Sequence, residues 1–320
     1  MTTTKKKRRA EIPRAQHPQK RAAPARRFPR WALWAAATGP WVLGLAIVGI
    51  VAYPDKGRDS TSQGSVSAAA SLPDTPDYHS LLVAPGDPRH IWLGSHVGLH
   101  ESTDGGRTWT EAGLTGQDAM SLARTRDSRT VWAAGHLVLA KSTDGGQTWT
   151  DVQPDGLPSF DVHGFAADPS NPRKLWAAIA GRGLFRSTNG GESFSLVSRD
   201  VGPGVMALAV APDGRVLAGD MAQGLLASRD DGQTWTNVLG EGLMGLAINP
   251  KNPKRVVATS QSGIFLSTNG GAGWRLVHAV AGGAGPVTWA PSKPKLGYVV
   301  GFDRVLYTTN DAGASWRPVS

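Results

Sequence analysis

An eight-residue segment recurs six times in the chain, and nothing else in the sequence limits the fold as tightly. The copies read STDGGRTW (102–109), STDGGQTW (142–149), STNGGESF (187–194), SRDDGQTW (228–235), STNGGAGW (267–274) and TNDAGASW (309–316). Their first residues stand 40, 45, 41, 39 and 42 positions apart. A repeat of this period marks architectures that stack one supersecondary unit many times, so it outranks any single element. The second unit shows the content of the period most plainly. An apolar run, Met120–Ser121–Leu122–Ala123, is followed by a turn and by Val131–Trp132–Ala133–Ala134; then come His136 to Lys141, the Gly-rich turn, and Thr148–Trp149–Thr150. Four short strands in each of six units predict an all-β chain: a six-bladed β-propeller over residues 77–320. Six units fill that stretch.

Within each copy Asp104, Asp144, Asp230 or Asp311 is placed to accept backbone N–H bonds inside the turn, and a following Gly supplies positive φ. Asn189 and Asn269 hold the same place in units three and five, where an amide oxygen can do the same. The octapeptide is that of the Asp-box, and the chain resembles the Asp-box (BNR) repeat propellers. That superfamily includes sialidases, sortilin-type receptors, some endoglucanases and the photosystem II assembly factors, and bacterial members are often labelled glycosyl hydrolase-like. The resemblance covers the whole of 77–320. It implies the fold and a structural role for these six residues, with the closing Trp packed between neighbouring blades.

The region before the repeats divides by composition. Residues 1–30 hold 11 Lys and Arg against one acid, Glu11, and are expected to be a disordered basic tail. Residues 31–53, from Trp31 to Tyr53, contain no charged side chain. At about 1.5 Å per residue they span the roughly 30 Å core of a bilayer, which predicts one transmembrane helix with Trp31, Trp34 and Tyr53 near its ends. The positive excess before it predicts a cytoplasmic amino terminus and an extracytoplasmic propeller, a signal-anchor topology at the cell membrane. A cleaved signal peptide is the competing reading, but the small-residue stretch Ala68–Ala70 lies far from the apolar run. Residues 54–76, rich in Ser, Gly, Asp and Pro, read as a flexible stalk.

The formal charge of +9 therefore belongs to the tail. Removing residues 1–30 leaves 23 basic and 24 acidic groups, and nucleic-acid binding by the folded part is disfavoured. The absence of Cys excludes disulfides and zinc-thiolate sites. No motif in the sequence requires a cofactor. The turns between first and second strands each end on a basic residue (Arg89, Arg129, Arg173, Arg215, Arg255 and Lys295), which reads as a solvated rim.

In a propeller the opposite face carries ligands. There the residues opening the innermost strands are His79, Met120, His163, Met206, Met244 and Val287, preceded two positions earlier by Asp77, Asp118, Asp161, Gly204, Gly242 and Gly285. Side chains at i and i+2 of a strand share a side, so units one to three each offer an acid beside an imidazole or thioether. The turns between second and third strands add His96, His136 and Arg182. Asp77, His79, His96, Asp118, Met120, His136, Asp161, His163 and Arg182 thus form the candidate ligand-binding set for a protein or glycan partner. His79, Met120, His163, Met206 and Met244 are metal candidates, with thioether pointing to copper and His/Asp to zinc or a harder ion. If the chain were a glycosidase, Asp77, Asp118, Asp161 and Glu241 would be its carboxylates, since that chemistry needs two acids about 5 to 10 Å apart. A sialidase is disfavoured because none of the six strand openings is an Arg. The expectation is a binding or assembly module, with glycoside hydrolysis and copper binding as the alternatives.

Overall fold

The computed structural model describes residues 71–320, and the basic tail, the expected membrane span and most of the stalk lie outside them. The described residues hold no helix long and apolar enough to cross a membrane. They form six antiparallel four-stranded sheets, each built from consecutive strands. The innermost strands are Ser80–Val83, Ser121–Arg124, Val162–Ala167, Val205–Val210, Leu243–Ile248 and Ala284–Trp289. The sheets follow the chain as six blades of a β-propeller, as the repeats predict. Packing begins earlier than residue 77: Leu72 and Thr75, within the stretch that composition assigns to the stalk, are buried, and Leu72 joins a cluster with Tyr78 and Leu306.

Burial follows position in the blade. All six second strands are buried at every residue, whereas the outermost strands are mostly exposed. Six apolar clusters fill the six seams, one per pair of adjacent blades, including the seam between blades six and one. That last seam exchanges no strand: sheet six consists wholly of the chain's final four strands.

The repeated turn explains how each seam is made. Ser102 Oγ accepts the Gly106 N–H at 2.8 Å and donates to Asp104 Oδ1 at 2.8 Å. Asp104 Oδ1 also accepts the N–H groups of Arg107 and Thr108, and its Oδ2 takes the Thr108 hydroxyl. Asp144, Asp230 and Asp311 repeat the pattern, and Asn189 and Asn269 keep the oxygen half of it. The second Gly then lies flat on the preceding blade. A Cβ on Gly191 would stand 2.5 Å from the Trp132 ring, and Gly106 of blade one lies as tightly on Leu306 of blade six, so the ring closes by a device it shares with the seams before blades two, three, four and six. The basic rim is partly engaged: the Arg215 guanidinium reaches Gly270 O and Arg255 Nε reaches Ala312 O, each on the next blade.

These carboxylates make the fold acid-sensitive in a defined window. The Thr234 hydroxyl and N–H, with Ser228, hold Asp230 down to about 2, and Thr148 and Ser142 hold Asp144 well below the usual carboxylate range. A carboxyl with a lower pKa folded than unfolded stabilises the native state above its unfolded value of about 4, and that contribution is lost as pH falls toward 2. The melting temperature is therefore expected to drop steeply between pH 4 and pH 2. Asp144→Asn with Asp230→Asn should flatten that slope, as Asn189 and Asn269 do natively; an unchanged slope in thermal melts across this range would place the acid sensitivity elsewhere.

Candidate functional site

On the face where each outer strand hands over to the next blade, three carboxylates and four imidazoles alternate across blades one to three. The sequence holds them there through its turns. Each Asp stands at the opening of an innermost strand, and His96 and His136 stand on the turns that close the second strands of blades one and two. Backbone bonds stitch the turns of blades one and two to the next opening: Ala119 N–H donates to Ser95 O at 3.0 Å and Leu137 N–H to Phe160 O at 2.9 Å. In blade three, Ala180 N–H ties the turn to its own opening at Asp161 O (3.0 Å). The row is thus mounted on rigid seams rather than on free loops.

Asp77 lies 3.3 Å from His79 Nε2, accepts the His96 N–H at 3.1 Å, and pairs with His96 Nδ1. Asp118 accepts the His136 N–H at 3.0 Å and His136 Nδ1 at 2.5 Å, and lies 3.7 Å from His96 Nε2. Asp161 lies 3.5 Å from His136 Nε2 and 3.1 Å from His163 Nε2. The rings form a file, with centroids 4.2 Å apart for His79 and His96, 5.5 Å for His96 and His136, and 5.1 Å for His136 and His163. Burial pushes the His79 imidazole below its ordinary value, opposed by Asp77 and assisted by His96. No Lys or Arg among the described residues pairs with any of these three carboxylates.

Seven of the nine residues expected at the site are therefore brought together. Met120 is buried at the mouth of the central channel with His79, Met206, Met244, Phe165 and Val287. Arg182 is exposed, and among the described residues its side chain has no hydrogen bond or ion pair to the row. Glu241 also stands apart, 3.4 Å from Ser262 Oγ on blade five. The copper-type set splits: the thioethers line the channel with His79, whereas His163 belongs with Asp161 and His136. On blades four and five the glycines are steric requirements, since a Cβ on Gly204 would meet Asp220 Oδ1 at 2.9 Å and one on Gly242 would meet Met221 O at 2.3 Å.

Two features escape a reading by residue type. Ser80 and Ser121 are buried hydroxyls that donate to Ala119 O (2.7 Å) and His163 O (3.1 Å) and so fix the neighbouring openings. Four of the six exposed large apolar side chains among the described residues, Val97, Leu137, Met221 and Phe302, lie on the turns between second and third strands, around the same face. Leu137 is 88% exposed and sits at a φ of 61°, where a side chain is strained.

No protein-family model matches the sequence, and no curated protein matches it. Solved structures do. The GH74 xyloglucanase from Xanthomonas campestris aligns over 79% of this chain at 17% identity with a TM-score of 0.57, and the chain covers 46% of that structure. The structure of YCF48 bound to D1 peptide aligns over 78% of this chain and 83% of its own, at 20% identity and a TM-score of 0.51. The WD40 repeats of RRP9 align over 76% of this chain and 79% of their own, at 11% identity and a TM-score of 0.54. The chain spans about half the length of the GH74 structures it matches. These likenesses establish a propeller fold shared with glycoside hydrolases, YCF48 and WD40 proteins.

Proposed function

We propose that the chain is a membrane-anchored, extracytoplasmic propeller of the Asp-box superfamily that binds a protein segment across the face where the inner strands open. The observation that carries this reading is the set of apolar side chains Val97, Leu137, Met221 and Phe302, exposed around a polar row on one face. Aromatic and aliphatic anchors around a few convergent polar groups are what a protein interface needs at its centre. The strain at Leu137 supports it further, since an exposed Leu in the left-handed region has no folding role to offset a cost of about 1–2 kcal/mol. A fold neighbour bound to a peptide, YCF48, supports the same use of the scaffold. The anchor at 31–53 and its basic tail place the propeller outside the membrane on the charge rule alone.

The glycoside-hydrolase reading has fold neighbours on its side and the geometry of the row against it. Two catalytic carboxylates must flank a sugar oxygen and a water. Between Asp118 and Asp161 stands the His136 ring, 2.5 Å from one and 3.5 Å from the other, and the His96 ring lies likewise between Asp77 and Asp118.

The chain has no Cys, so Gly240→Cys, where a side chain meets nothing within 4 Å, gives a unique handle on this face. A membrane-impermeant photo-cross-linker attached there on intact cells is expected to capture a protein. Capture should fall about tenfold in Leu137→Asp, the effect of losing a hot-spot anchor of 1–2 kcal/mol. Capture that Leu137→Asp leaves unchanged overturns the proposal. So does polysaccharide turnover that Asp118→Ala with Asp161→Ala abolishes.

A further inference from the structure

The alternating row has a symmetry that a chain of hydrogen bonds does not require. Around Asp77, three donor atoms converge: His79 Nε2 lies 3.3 Å from both Asp77 Oδ1 and His96 Nδ1. Around Asp161, His163 Nε2 and His136 Nε2 lie 3.1 and 3.5 Å from Asp161 Oδ1. Within each trio every ligand atom lies within 4.8 Å of the others. A tetrahedral zinc ion with bonds of about 2.0–2.1 Å to nitrogen and oxygen holds its ligands about 3.3 Å apart. Two edges of each trio are already close to that length, while the Asp77 carboxylate also bonds His96 Nδ1 directly; the trios sit at opposite ends of the row.

Between them stands Asp118, only 7% exposed. Its Oδ2 takes His136 Nδ1, and the tautomer that donates there leaves the His136 Nε2 lone pair directed at the Asp161 trio. The same oxygen lies 3.7 Å from His96 Nε2, whose Nδ1 belongs to the Asp77 trio. A buried carboxylate holding the far nitrogen of a metal-ligating imidazole is the usual support of a zinc site. Asp118 Oδ2 takes both bonds from His136, whereas Oδ1 is buried with no hydrogen-bond partner among the described residues. Charge points the same way. Three carboxylates lie together with no Lys or Arg counter-ion among the described residues.

We propose that the row binds two divalent transition-metal ions of the zinc class, one held by Asp77, His79 and His96 and the other by His136, Asp161 and His163, with Asp118 positioning the two shared-face histidines between them. Imidazole nitrogen with carboxylate oxygen selects zinc and its neighbours over calcium or magnesium, and the thioethers of Met120, Met206 and Met244 lie apart in the channel. Each ion has three protein ligands and therefore one position open, where a carboxylate or imidazole of a bound protein can complete it. The inference rests on the face already assigned to binding, but it requires no partner.

The test uses the full-length protein in detergent, without a His tag, dialysed against Zn²⁺ and then against metal-free buffer. Elemental analysis is expected to give two zinc per chain, and Co²⁺ loading should produce the visible bands of four-coordinate cobalt. Asp77→Asn with His79→Asn should retain one ion, and Asp161→Asn with His163→Asn should retain the other. Asp118→Asn should retain both, each bound about 10–100-fold more weakly in chelator competition. Fewer than two zinc per wild-type chain overturns the inference whatever the variants do, and so does full loading of a chain carrying all four of those Asn substitutions. A wild-type chain that takes no zinc yet still cross-links its protein at Gly240→Cys sinks this inference and leaves the binding face standing, whereas zinc loading without any cross-link does the reverse.

Discussion

Trp176→Ala is expected to destabilise the propeller by about 3–5 kcal/mol, more than any other single truncation. Trp176 lies in the second strand of blade three, Leu175–Ile179, with no exposed surface. Its ring helps fill the seam with blade four, against Val205, Val216 and Leu226. Its Nε1 donates to Asp231 O at 3.3 Å, and the Lys174 ammonium stands 5.0 Å over the ring while pairing with Asp231. Truncation therefore opens a cavity, orphans the Asp231 carbonyl and releases the cation at once. Trp176→Phe should recover most of the loss, because the ring volume outweighs one neutral hydrogen bond of about 1 kcal/mol. Denaturant melts of the two variants separate these contributions. Equal losses for Ala and Phe would mean that the hydrogen bond, not the packing, secures the seam. The equivalent places in blades four to six hold Leu217, Val257 and Tyr298, smaller or more polar groups that join the clusters of their own seams.

The contrast among blades shows what was legible in the chain and what was not. The fold could be read because it is written six times: one octapeptide every 40 or so residues leaves a propeller as the architecture that satisfies all copies together. The acid–imidazole row could also be read, because the period aligns strand openings that lie far apart in sequence. Asp77, Asp118 and Asp161 occupy one position in successive units, and His96 and His136 another. What the alignment could not supply is where a side chain goes after leaving its backbone. Arg182 lies on the corresponding turn of blade three, but there Ala180 holds the place of His96 and His136, directly after the second strand, and Arg182 stands two residues on with its side chain in solvent. Glu241, aligned by position near the face, bonds sideways to Ser262. The buried hydroxyls of Ser80 and Ser121 look like ordinary strand residues until the neighbouring blade supplies the carbonyls they meet. The exposure of Leu137 was hidden for a related reason. An apolar residue in a tight turn reads as part of the next strand, and only its φ of 61° lifts it clear of the sheet.

Gly135→Ala tests the row through the backbone, without touching a donor atom. Gly135 ends the second strand of blade two, one residue before His136, and has no positive φ that would penalise Ala by itself. A Cβ there would meet Asp118 O at 2.5 Å and Asp118 Cγ at 2.9 Å. Real Cβ atoms do not approach so closely, and the main obstacle is the backbone of the Asp118 opening in the same blade, so the second strand and that opening must move apart. Overpacking of this kind costs about 1–3 kcal/mol, and for a domain of this size each kcal/mol is worth roughly 2–4 °C in melting temperature. The more diagnostic effect falls on the site. The displaced Asp118 loses its bond to His136 Nδ1, and the ring is freed to rotate away from Asp161. Zinc affinity at the Asp161 centre is therefore expected to fall at least as far as in Asp118→Asn, with the Asp77 centre less affected because His96 Nε2 stands farther from Asp118 than His136 Nδ1 does. Gly240→Ala, with nothing near its Cβ, is the control that should change neither stability nor zinc binding. If Gly135→Ala lowers the melting temperature but leaves both zinc affinities as in the parent, the two centres do not depend on Asp118, and the carboxylate is a packing residue of the seam alone.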